Sequence, residues 1–273
     1  LPIALHAKKI LIVGPTYSDY KDAVAMHGIL YDHFLLPPDK EFALDADALS
    51  KKASQSDMVF ICNPNNPTGT LVEKRVIERL LAKNPDTVFV VDESYLPFVE
   101  NGEQVSLVSD TGYPNLVVLS SMSKIFTIPG LRTGFLRSSR AICDKIMAYY
   151  QPWSINSLAQ AVIRDIFDHP ELITPFYEQT RQFIRTEKRC FLASLSGVKG
   201  ITCYPGVTYF ILARLTGALS SKALCAYIGG HKILIRDCAN FEGLNHEFVR
   251  FSLKERQLNL KLAGLIKESL DHA

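Results

Sequence analysis

The sequence predicts an α/β protein: a large domain built on a mainly parallel sheet, followed by a small C-terminal α+β domain. Three observations carry this. Short apolar, β-branched runs alternate with helical patterns through the first half of the 273 residues. The stretch 158–195 is helical in pattern, with one break. After Gly197 strands return, and a helix closes the chain. Strand, helix, strand at such spacing implies right-handed crossovers, and unbroken apolar runs belong to strands covered on both faces.

Residues 10–13 (ILIV) read as a strand, and 19–27 as a short helix behind it. Residues 58–62 (MVFIC) form the next strand, followed by an amphipathic helix at 72–81. Residues 88–91 (VFVV) and 116–119 (LVVL) are further buried strands; 134–136 is a fifth, with 141–150 helical after it. The long helical stretch breaks near His169-Pro170, because proline cannot continue a helix interior. Strands are expected at 200–204, 208–215, 233–235 and 248–253, and a helix at 258–270. This divides the chain into a large domain at 1–157, linking helices at 158–196 and a small domain at 197–273.

Composition narrows the function. With 47% hydrophobic and 21% charged residues the chain falls in the ordinary globular range, which excludes disordered and fibrous classes. A net charge of +2 excludes a protein whose main task is gripping nucleic-acid phosphates. No run approaches the ~18 apolar residues of a membrane helix. A cytoplasmic protein without nucleic-acid or membrane partners is expected. Six cysteines (Cys62, Cys143, Cys190, Cys203, Cys225, Cys238) show no CxxC pairing and read as reduced thiols. Seven histidines form no HxxxH or HExxH pattern, so no metal site is expected.

Ligands of open parallel sheets sit beyond the carboxyl ends of the strands. Gly14-Pro15-Thr16-Tyr17 follows the first strand and Asn63-Pro64-Asn65-Asn66-Pro67-Thr68-Gly69 the second. Asp92-Glu93-Ser94-Tyr95 follows the third. Ser120-Ser121-Met122-Ser123-Lys124 follows the fourth, with Arg132 eight residues on. Taken singly these are a packed aromatic, a turn, a cap and a surface charge. Taken in order they match what pyridoxal phosphate requires. That cofactor needs a lysine amine for its Schiff base, an acid to keep the ring nitrogen protonated, and an amide and a phenol at its ring hydroxylate. Hydroxyls and a guanidinium suit the phosphate, and an aromatic suits the ring face.

On these motifs the chain resembles the fold-type-I pyridoxal-phosphate enzymes, in the class I/II branch of the aspartate aminotransferase superfamily. The resemblance implies that Lys124 carries the cofactor and later moves the Cα proton. It implies that Asp92 pairs with the ring nitrogen, Asn66 and Tyr95 bond the ring hydroxyl, and Tyr17 stacks on the ring. Ser121, Ser123 and Arg132 would hold the phosphate, and Asn66-Pro67 is a candidate cis peptide. Such enzymes begin with an N-terminal arm and a Gly-rich, phosphate-gripping turn. Neither matches the opening Leu1-Pro2-Ile3, which lacks Met, so the sequence is read as part of a longer protein.

Substrate choice is expected in the small domain. Arg236-Asp237-Cys238-Ala239-Asn240-Phe241-Glu242-Gly243-Leu244 and Val249-Arg250-Phe251 offer two guanidiniums on adjacent strands. These stretches, with 152–160 (PWSINSLAQ), resemble most the threonine-phosphate decarboxylases of cobalamin biosynthesis, which are close to histidinol-phosphate aminotransferases. By that resemblance Arg250 clamps the substrate carboxylate, Asn156 lies beside it, and Arg236 is a substrate contact or a structural ion pair. The implied substrate is a small phosphorylated amino compound, and the implied assembly a homodimer.

Overall fold

The computed structural model describes residues 1–110, 112–204 and 206–271. Six strands form the larger sheet: β1 (Lys9–Gly14), β2 (Leu30–Leu35), β3 (Met58–Cys62), β4 (Val88–Asp92), β5 (Leu116–Ser121) and β6 (Gly134–Ser138). Their order is β2-β1-β3-β4-β5-β6, parallel throughout except for the antiparallel β5–β6 pair. The crossovers carry α1 (Ser18–Ala25), α2 (Ala46–Ala53), α3 (Lys74–Lys83), α4 (Gly102–Val105) and α5 (Met122–Ile125), and α6 (Arg140–Met147) follows β6.

Period-2 alternation places successive side chains on opposite faces. Ile10, Ile12, Met58, Phe60, Val90 and Val117 enter one apolar layer. Leu11, Val59, Ile61, Phe89, Val91 and Val118 enter the other. Both layers are sealed, so the central strands are held rigidly and their carboxyl ends form a fixed edge.

The chain then runs through α7 (Ser157–Asp168) and α8 (Pro170–Leu195), which part at His169 as the proline demands. A second, antiparallel sheet of order β7-β8-β10-β9 follows. It comprises β7 (Ile201–Cys203), β8 (Phe210–Leu215), β9 (Arg236–Asp237) and β10 (Phe248–Ser252). It packs with α8, α9 (Ser221–Gly230) and α10 (Arg256–Asp271) around Phe191, Phe210, Phe251 and Ile266. Tyr95, Phe98 and Ile125 of the larger unit join that same cluster, so the two sheets share apolar contacts. Among the described residues no helix is long and apolar enough to cross a membrane.

Five elements go beyond the sequence pattern: β2, α2, α4, α5 and α9. The edge strand β2 (LYDHFL) is mostly exposed and interrupts its apolar run with Asp32 and His33. Short helix α2 begins at an Asp45 cap bonded to the Ala48 amide, and α9 at a Ser220 cap bonded to Ala223. One expectation is corrected. The strand placed at 233–235 lies instead at Arg236–Asp237, where the backbone pairs with Val249 and Arg250. The apolar triplet misleads because Leu234 is 91% exposed while Ile233 packs inward.

Candidate active site

The chain leaves β1 toward β2 and returns to β3 on the opposite side of β1. That reversal opens a crevice at the carboxyl ends of β1 and β3. Two loops flank it and are tied together. Thr16 Oγ1 donates to Asn65 Oδ1 at 2.8 Å, and Asn65 Nδ2 donates to the Pro15 carbonyl and to Thr68 Oγ1, each at 2.8 Å. Asn65 is thus consumed by structure, and the adjacent Asn66 faces the crevice. Asn66–Pro67 is cis, as the resemblance implies; Gly14–Pro15 and Asn63–Pro64 are cis as well.

Asn66 is buried, and its Nδ2 donates to Tyr95 Oη at 3.5 Å. Asp92, the last residue of β4, accepts three hydrogen bonds. The Ser94 amide (2.9 Å) and Ser94 Oγ (2.5 Å) reach Oδ1, and Tyr20 Oη reaches Oδ2 at 2.6 Å. Tyr20 escaped the sequence reading, because a tyrosine in an amphipathic helix reads as core. The one available signal is its place one turn beyond Tyr17 on α1. Its ring stacks on Phe60 with centroids 5.3 Å apart, and burial, with Cys62 and Asp92 adding, pushes its phenol well above the usual range. Tyr17 is 40% exposed and stands edge-on to Tyr20 at 6.1 Å. The neighbouring Asp19 and then burial raise its phenol, while the Arg132 guanidinium opposes them.

Burial also raises the Tyr95 phenol, with Tyr209 and Cys62 adding and Arg250 opposing. The Cys62 thiol, on the crevice floor, is pushed up to about 12 by burial and stays protonated. At the end of β5, Ser121 caps α5 by accepting from the Ser123 amide at 3.2 Å, and the two hydroxyls lie 2.6 Å apart. Lys124 on the same turn is exposed, its Nζ 6.0 Å from the Tyr95 ring centroid. Arg132 is exposed in a left-handed conformation (φ 53°) and spends one N–H on the Pro129 carbonyl at 3.1 Å.

The second sheet contributes the opposite wall. Arg250 and Arg236 are direct partners across the β10–β9 pair, so both side chains leave the same face. Arg250 Nη1 donates to Asn66 Oδ1 at 2.5 Å, its guanidinium lies 4.9 Å from the Phe210 ring centroid, and its buried Nε has no partner among the described residues. Arg236 is exposed, donating to Asn240 Oδ1 at 2.9 Å and resting 5.5 Å from the Phe241 ring centroid. Asn156 caps α7, accepting from the Ala159 amide at 2.9 Å; among the described residues no hydrogen bond joins it to Asn66, Tyr95 or Arg250.

Tyr17, Asn66, Asp92, Tyr95, Ser121, Ser123 and Lys124 therefore share one sheet edge with Arg250 opposite. The donor set suits a flat, phosphorylated pyridine: an exposed amine, a fixed carboxylate, an amide with a phenol, and paired hydroxyls. A profile of aminotransferase class I and II matches residues 2–264. An adenosylcobalamin biosynthesis bifunctional protein of Leptospira interrogans is 31% identical over 271 residues, which are 96% of this chain and 30% of that protein. The chain thus spans less than a third of that relative. The solved histidinol-phosphate aminotransferase of Clostridium acetobutylicum superposes with a TM-score of 0.90 at 28% identity, covering 99% of this chain and 80% of the other. The L-threonine-O-3-phosphate decarboxylase of Porphyromonas gingivalis gives 0.85 at 29%, covering 98% and 78%. The chain belongs to the aminotransferase class I and II family, a membership that implies pyridoxal 5'-phosphate as cofactor and leaves decarboxylase and aminotransferase chemistry both open.

Proposed function

From that membership we propose that this chain, within its full-length protein, decarboxylates L-threonine O-3-phosphate to aminopropanol phosphate and carbon dioxide. The observation that carries the reading is the facing pair Arg236 and Arg250, two guanidiniums on one sheet face for a substrate with two anionic groups. Relatives named as a threonine-phosphate decarboxylase and an L-serine phosphate decarboxylase, 27% and 28% identical, support it. The proposal includes a cytoplasmic homodimer, the domain division at 157 and 196, and no nucleic-acid or membrane partner.

When bound, pyridoxal phosphate supplies a ring that accepts the electron pair released at Cα. Lys124 would hold the cofactor covalently, and its amine is the group placed to carry the Cα proton. Asp92, fixed by Tyr20 and Ser94, keeps the ring nitrogen protonated. Asn66 and Tyr95 bond the ring hydroxylate, and Tyr17 covers one ring face. Ser121, Ser123 and Arg132 hold the cofactor phosphate. Arg250 forks the substrate carboxylate, using the Nε that has no partner among the described residues. Arg236 takes the substrate phosphate, and the Asn156 amide nitrogen, left over from its cap, is assigned to the carboxylate side. The two arginines would select the reaction by fixing how the substrate carboxylate is turned.

The second reading, transamination of histidinol phosphate or a related amine with 2-oxoglutarate, is favoured by the 0.90 superposition. The full-length protein, loaded with pyridoxal phosphate and given O-phospho-L-threonine, tests the two by mass spectrometry. Aminopropanol phosphate and carbon dioxide are expected at catalytic turnover. Their absence, with glutamate formed from histidinol phosphate and 2-oxoglutarate, overturns the decarboxylase reading.

A further inference from the structure

The contact between Asn66 and Arg250 crosses from one sheet to the other, and something must hold the two walls in register. Immediately beside Asn66 the walls meet without side chains. A Cβ on Gly69 would stand 2.9 Å from the Gly206 Cα, and a Cβ on Gly206 2.9 Å from the Gly69 Cα, so only glycine fits on either side. Gly69 is moreover left-handed, with φ +70°. The Val207 amide donates to the Gly69 carbonyl at 2.7 Å, and the Gly69 amide to the Asn65 carbonyl at 2.8 Å. The Asn65–Gly69 loop is thereby stitched to the turn that opens β8.

Behind that turn stands Lys188, in the C-terminal half of α8. Its Nζ donates to the Gly206 carbonyl at 2.5 Å, and none of the salt bridges among the described residues includes it. The neighbouring Glu187 is turned away, bonded to Arg256 and Asn259. Burial alone lowers the ammonium to about 8. A cation taken from water and given a carbonyl but no carboxylate costs stability, and an apolar side chain of the same length would avoid that cost.

We propose that Lys188 is a positioning residue for the substrate-carboxylate site, its ammonium drawing the Gly206 turn onto Gly69 and so holding Asn66 at the Arg250 guanidinium. The inference deepens the proposed function and rests on that reading for the identity of the ligand. Lys188 touches neither substrate nor cofactor. Its ammonium meets the Gly206 carbonyl, and methionine there would remove that donor from a buried acceptor.

The test uses the pyridoxal-phosphate-loaded full-length protein with 3-(phosphonooxy)butanoate, which has the carboxylate and phosphate of phosphothreonine but no amine to react. Calorimetry gives its Kd, and hydrogen exchange follows the Val207 amide. Lys188→Met is expected to weaken the probe about tenfold and to speed Val207 exchange about tenfold. Cofactor affinity should fall by no more than about threefold, Asn66 being one cofactor contact among several, melting temperature should stay at the wild-type value, and Lys188→Arg should restore both readouts to within about threefold. Unchanged exchange in Lys188→Met overturns the proposal whatever the substrate is, as does a lowered melting temperature with cofactor lost in parallel. Faster exchange in a protein whose wild type ignores the probe supports the seam and overturns the phosphothreonine reading instead.

Discussion

The two walls of the crevice are built on different terms. On the larger sheet, the polar groups follow strands β1, β3, β4 and β5, which carry the two apolar layers, and the loops after β1 and β3 are bonded to one another through Asn65. On the second sheet the two arginines share a face yet differ in footing. Arg250 is half-buried, bonded to Asn66 and laid over Phe210; Arg236 lies in solvent on a two-residue strand. A fixed edge suits a cofactor whose every atom must be met in the same place. A wall with one fixed and one adjustable cation suits recognition of substrates of differing length.

The contrast can be broken or sharpened by substitution. The largest effect is expected at the fixed edge: Lys124→Ala should cost at least about 10³-fold in turnover and remove the absorbance of lysine-bound cofactor. Next is Arg250→Ala, expected to lower kcat/KM about 10²-fold, because a half-buried partner of Asn66 is lost; Arg250→Lys should recover little, lacking the fork. Tyr20→Phe removes one of the three donors to Asp92, and cofactor affinity measured by titration should fall about tenfold. Arg236→Gln should raise KM by about tenfold or less, with an effect that shrinks as salt rises from low to high concentration, since an exposed cation is screened. An Arg236 effect as large and salt-independent as that of Arg250 would erase the contrast between the two.

The smallest effect concerns stability rather than turnover. Glu93, next to Asp92 but buried among Ser106 and the Leu107 amide, has its carboxyl raised, chiefly by burial. Above its unfolded value near 4.5 the native state keeps a proton that the unfolded chain has released. Stability from this group is therefore full below that pH and declines as pH rises through the folded value. Glu93→Gln should lose that decline, read as a smaller drop in melting temperature across the window.

How much of this the sequence disclosed follows the same division. Strand β3 is legible to the residue, because MVFIC is buried at every position and leaves an unbroken apolar run. The cofactor edge is legible for the same reason: the polar residues begin where such runs stop. Edge strand β2 is not, since an edge exposes one side and admits Asp32 and His33. Tyr20 is hidden because its function lies in one hydroxyl at the end of a core-facing ring. Asn65 and Asn66 are adjacent and chemically identical, and only the loop's path decides that one builds the frame and the other faces the site. The facing of Arg236 and Arg250 depends on strand register, which the misplaced strand at 233–235 shows to be poorly fixed by an apolar triplet alone.

The meeting of Gly69 and Gly206 sets a rule for anyone rebuilding this scaffold. Most interfaces can be retuned by trading one side chain for another, whereas this one offers no side chain to trade. A designer seeking a new substrate can vary the exposed Arg236 or Asn240 freely, but any replacement for the second sheet must bring its own bare stretch of backbone to that spot. The two glycines act as a keyway: they do not choose the substrate, yet they decide which parts can be fitted at all.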